Sequence, residues 1–102
     1  MFGQTALHRD GELVGKDDFV AQADQVFRNL SAALQAVGCN ASHLSKMTVF
    51  LRDIRNPGTY RECRHRFFAT KTSRAAPIVT LVEVSELYGQ DFLIEVEAIA
   101  AF

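Results

Sequence analysis

The sequence predicts an α+β fold, with two helices packed on one face of a mixed sheet in the order β-α-β-α-β-β. Three observations carry this. Residues 19–37 place apolar side chains at steps of three and four. Residues 44–52 alternate apolar and polar, as a half-buried strand does. Two apolar runs with interspersed acids, 77–84 and 92–102, follow a turn-rich second helical stretch. At 102 residues, and with no repeat, linker or low-complexity tract, the chain reads as one domain over 1–102.

The segment FGQTAL, 2–7, predicts a short strand, and HRDGEL after it a polar turn. A helix is expected from Asp17 or Asp18, with an acid in capping position. Its apolar positions are Phe19, Ala23, Val26, Phe27, Leu30, Ala33, Leu34 and Val37, and Gly38 stands where a helix ends. In the strand SHLSKMTVFLRD, Met47, Val49 and Leu51 share one face, and Lys46, Thr48, Phe50 and Arg52 the other. A second helix is expected in NPGTYRECRHRFFATK. Asn56 would cap it, Pro57 would stand at its first position, and Tyr60, Cys63, Phe67 and the stem of Arg64 would form its stripe.

The last two strands are PIVTLVEV and FLIEVEAIAAF, and SELYGQD between them suits an antiparallel turn. Alternation offers Ile78, Thr80, Val82 and Val84 to the helices and leaves Val79, Leu81 and Glu83 on the other side. On the last strand it sends Glu95 and Glu97 away from Ile94, Val96 and Ala98. Glu83, Glu95 and Glu97 would then share the sheet's far face with Lys46, Thr48, Phe50 and Arg52. A half-apolar face of that kind is costly in water. It is expected to be covered by another copy, so a homo-oligomer is predicted.

Net charge is −1, so no global field draws the chain to nucleic acid or a membrane. No apolar run reaches the roughly 18–20 residues that span a bilayer. The start shows no signal-peptide pattern, and two isolated cysteines, Cys39 and Cys63, read as reduced thiols of a cytoplasmic protein. Cys63 suits a core stripe, and Cys39, after Gly38, an exposed thiol. His8, His43 and His65 lie in three separate segments, and neither cysteine belongs to a ligand-spaced pair. No metal and no other cofactor is implied.

Together the segments GQTAL, FVAQADQVFRNLSAALQAVGCNASHLSKMTVFLRDI, FFAT, TLVEV and IEVEAIA resemble the RidA/YjgF family of imine and enamine deaminases, from Gly3 to the C-terminus. The resemblance implies a chorismate-mutase-like fold and a homotrimer with ligand clefts between subunits. It also implies that family members carry a strand and most of a second ahead of the segment matching MFGQ. Either the natural start lies upstream, or this chain is shorter than its family and lacks an edge strand. Family deaminases hold the substrate carboxylate with an Arg a few residues before VEV. Aligning Pro77 and VEV (82–84) puts Val79 at that position. A valine cannot form the bidentate pair of a guanidinium. Glu95 matches the family acid that orients the attacking water.

These residues define the candidate site: Glu95 as catalytic acid or base, with Gly3, Val79, Thr80, Leu81 and Arg74 around the ligand. A carboxylate in a partly apolar cleft, with no Arg beside it, should titrate high. Arg74, just before the Pro77 strand, is weighed as a replacement for the missing cation against a solvated loop arginine. Three functions stay open. One is a small-metabolite protein hydrolysing an imine or enamine other than the usual 2-imino acid, or one held differently. A second is a member that binds without catalysis. A third is weak RNA contact, as in family members described as ribonucleases or translation inhibitors. For the third, residues 52–74 hold seven of the eleven basic side chains, Arg52, Arg55, Arg61, Arg64, Arg66, Lys71 and Arg74. No aromatic platform for stacking bases accompanies them.

Overall fold

Asp18 begins the longest element. In the computed structural model, which describes residues 2–4, 7, 11–40, 43–52, 60–63, 78–87 and 89–100, its backbone is extended and its Oδ1 accepts from Ala21 N at 3.1 Å. This satisfies one of the unpaired donors at the start of helix α1, Phe19–Ala36. The buried stripe is Gln22, Ala23, Val26, Phe27, Leu30 and Leu34. Fully burying an aliphatic or Phe side chain of this kind is worth about 1.5–3 kcal/mol. At the other end Gly38 takes φ +77°, its N–H bonds Gln35 O at 3.1 Å, and Cys39 N bonds Leu34 O at 2.8 Å. That pair of bonds is a Schellman motif, which turns the residue after the glycine back onto the helix. Cys39 is therefore buried, 5% exposed, and the expected exposed thiol is corrected. Val37, expected on the apolar stripe, is instead the exposed capping residue.

The strands are β1 (Phe2–Gln4), β2 (Leu44–Leu51), β3 (Ile78–Glu83) and β4 (Ile94–Ala100), in one four-stranded sheet of order β1-β4-β2-β3. β2 runs parallel to β3 and antiparallel to β4, and β4 antiparallel to β1. The sheet is mixed, as expected, but β3 and β4 flank β2 instead of pairing. The segment after β3 is thus a crossing connection and not a hairpin turn. β2 carries an irregularity against β4 between Leu44 and Lys46. One extra residue there leaves Ser45 and Lys46 both exposed, and the alternation resumes with Met47, Val49 and Leu51 buried.

Register decides the faces of β3. Met47 pairs with Val79 and Val49 with Leu81, and both β3 side chains pack against the core. Thr80 and Val82 pair with Thr48 and Phe50 on the opposite side. The sequence expectation had these two sets reversed, because both are apolar enough to face helices. Only the long-range register separates them. Glu83, in register with Leu51, consequently leaves the far-face group.

Residues 60–63 are helical, with Tyr60 and Cys63 buried as their stripe predicts. The Tyr60 ring lies 6.4 Å from that of Phe27 and joins this segment to α1. Asn56, Pro57, Arg64 and Phe67 lie outside the described residues. Polar side chains complete the frame. Asn29 Nδ2 donates to Leu7 O at 2.7 Å, beside the isolated bridge between Leu7 and Leu13. Among the described residues no helix is long and apolar enough to cross a membrane.

Candidate functional site

The far face of the sheet is a grid fixed by register. One row runs from Gly3 through Glu97 and Thr48 to Thr80. The next runs from Glu95 through Phe50 to Val82. A third holds Ile99, 45% exposed, beside Lys46. The two acids lie on β4 because Ile94, Val96 and Ala98, all but sealed from solvent, claim its other face.

Glu95 is half-buried, and its carboxyl is held above the usual carboxylate range. Burial is the larger cause, since a charge beside Phe50 loses hydration, and the like charge of Glu97 adds to it. No hydrogen bond or ion pair to Glu95 exists among the described residues. Arg52 follows β2 directly, two residues after Phe50, yet its guanidinium donates to the Gln90 carbonyl. The face therefore presents a carboxyl that keeps its proton to higher pH than an ordinary carboxylate, bordered by a ring, a threonine hydroxyl and the glycine backbone of β1.

The expected site residues divide between the two sides of the sheet. Glu95, Gly3 and Thr80 belong to the far-face rows. Val79 and Leu81 lie on the helix side, on edge strand β3, half-buried against the core. Arg74 lies outside the described residues, as do Arg55, Arg64, Arg66 and Lys71 of the basic stretch. With strands about 4.8 Å apart, β3 and β4 stand roughly 10 Å apart across β2. One chain cannot close Glu95 and Val79 around a single small molecule. Among the described residues no group of three His, Cys, Asp or Glu side chains could hold a metal ion.

Gln22 is the polar residue that periodicity passed over. It is wholly buried, with Nε2 donating to Asp91 O at 2.8 Å and Gly15 O at 3.1 Å, and Oε1 accepting from Leu93 N at 2.9 Å. Its signal in the sequence is position. Gln22 stands three residues after Phe19 and four before Val26, on the stripe that faces the core.

A family model described as endoribonuclease L-PSP matches residues 1–102. A RutC family protein of Synechocystis is 34% identical over 99 residues, covering 96% of this chain and 73% of its own length. A 2-iminobutanoate/2-iminopropanoate deaminase of Salmonella typhimurium is 36% identical over 84 residues, covering 82% of this chain and 64% of its own. Among solved structures, the YjgF gene product of Escherichia coli superposes with a TM-score of 0.86 at 33% identity, covering 98% of this chain and 76% of that one. The chain thus spans between 64% and 76% of the length of these proteins. With a family match along its whole length and the YjgF architecture, the chain belongs to the RidA/YjgF family of endoribonuclease L-PSP proteins.

Proposed function

We propose that this chain is a RidA-family small-metabolite protein that hydrolyses an imine or enamine in a cleft completed by a second copy, with Glu95 as the acid–base group. One observation carries the reading: Glu95 is a half-buried carboxyl on the far face of the sheet, with no hydrogen-bond or ion-pair partner among the described residues and its pKa raised by burial and by Glu97. A relative named for 2-iminobutanoate and 2-iminopropanoate deamination supports the reaction class. The division of site residues supports the shared cleft. A ligand that touches Glu95 of one copy and the Val79–Leu81 edge of another must lie between them.

The chemistry follows from the carboxyl. As a carboxylate, Glu95 takes a proton from water while the oxygen bonds the imine carbon. As the acid, it returns that proton to nitrogen, which gives a carbinolamine; it then takes the hydroxyl proton and passes it to nitrogen as the C=O bond forms and the C–N bond breaks, so that a ketone and ammonia leave. A raised pKa favours the second step, because it makes the proton easier to hold until nitrogen takes it. Thr80 and the Gly3 backbone border the same face, and Arg74 is the cation to test for a ligand carboxylate. Val79 offers an apolar surface where the family's deaminases carry their carboxylate-holding arginine. The preferred substrate is therefore one held by other contacts.

A second reading, binding without catalysis, is favoured by Val79. The two are separated by generating 2-aminoacrylate or 2-iminobutyrate in situ and following hydrolysis. Acceleration by the wild-type protein that disappears in Glu95→Ala is the expected result. A wild-type rate equal to buffer, with activity gained in Val79→Arg, would mean a vacated deaminase cleft that only binds. RNA contact through residues 52–74 would show as binding that weakens steeply with salt, and binding indifferent to salt counts against it.

A further inference from the structure

We infer that Gln22 is the positioning residue for Glu95, fixing the turn that feeds β4 and so setting where the acid sits. This rests on the reading of Glu95 as the acid–base group, and it names a role for a side chain outside the cleft.

Residues 89–93 lead from the exposed connection into β4, and the turn closes on itself by Phe92 N donating to Gly89 O at 3.1 Å. It is held from two sides. Arg52 N donates to Leu93 O at 3.1 Å, and the Arg52 guanidinium donates to Gln90 O. From the helix side, Gln22 takes Asp91 O and Leu93 N with opposite ends of one amide. Its second N–H holds Gly15 O, so the loop ahead of α1 is locked to the same point. Both of the amide's donors and its oxygen, three of its four hydrogen-bonding positions, are thus directed at backbone groups 7, 69 and 71 residues away.

The location matters because of how β4 is supported. β1 pairs with β4 only at Val96, Glu97 and Ala98 among the described residues. Ile94 and Glu95 have described ladder partners on the β2 side alone, Leu51 and Phe50. Gln22 supplies a hold from another direction two residues before Glu95. A buried amide is also a demanding one: any shift of the turn leaves polar groups unpaired away from water, so the geometry is specified tightly.

The test compares Gln22→Met, of similar length without hydrogen bonds, with Leu30→Ala, which removes core packing away from the turn. Glutamate carboxyl ¹³C signals, with Glu95 assigned through Glu95→Gln, report its titration without any need for activity. Gln22→Met should move the Glu95 midpoint down toward the ordinary carboxylate range as the acid gains water. Leu30→Ala should lower thermal stability and leave that midpoint in place. In the imine assay Gln22→Met should lower kcat by roughly ten- to a hundred-fold with KM little changed, as misplacement of a reacting group does. If Gln22→Met does not fold, Gln22→Asn serves, because its shorter amide cannot reach Asp91 and Leu93 together. Equal movement of the Glu95 midpoint in both kinds of variant, or none in either, overturns the inference. An inactive wild type sinks the hydrolase reading instead, while the titration still judges Gln22.

Discussion

Glu95 stands on the outward alternation of β4, because its neighbours Ile94 and Val96 are buried in the core. Its protonation has a consequence for stability. The folded pKa is raised, so the folded state binds its proton more tightly than the unfolded chain does. Stability from this group is fully present below the unfolded pKa and is lost as pH rises through the folded one. Glu95→Gln removes that dependence. Thermal melts should show the variant gaining on wild type between acid and neutral pH, and a constant difference would contradict the assigned shift. Val79, aligned to the family motif by Pro77 and VEV, was expected on the far face and lies on the helix side. Nothing local distinguishes Val79 and Leu81 from Ile78 and Val82, and the answer lay in a parallel register with Met47 and Val49. Gln22 was missed because apolar periodicity counts only apolar residues, while this helix spends a core position on an amide.

At the scale of elements, α1 was read almost whole, since cap, stripe and terminating glycine are all local signals. Two substitutions test that. Asp18→Ala should cost about 1 kcal/mol by removing the bond to Ala21 N. Gly15→Ala should cost more. Gly15 has φ +80°, and an added Cβ would stand 2.7 Å from that of Ala21. The backbone strain alone is roughly 1–2 kcal/mol, and the loop that Gln22 holds would have to move as well. Urea denaturation measures both, and a neutral Gly15→Ala would show that this loop is free to shift. The strands were legible as strands but not in their order. Pairing β3 with β2 across a helical segment is a long-range choice. A turn-like sequence between β3 and β4 looks the same whether the strands pair or flank a third.

At the scale of the molecule, the far face remains the reason to expect more than one copy. Thr48, Phe50, Val82, Glu95 and Glu97 are half-buried in a single chain, and Ile99 is 45% exposed. Light scattering should find an oligomer, and Phe50→Asp, which puts a third acid beside Glu95, should dissociate it. A monomeric wild type would remove the shared cleft. The role of Glu95 in exchanging the proton of imine hydrolysis is tested most directly by the rate of ammonia release from imine generated in situ, measured against pH. Wild type should accelerate release with a midpoint above the usual carboxylate range, and Glu95→Gln should fall to the buffer rate at every pH. Retained activity in Glu95→Gln with an unchanged profile would contradict it.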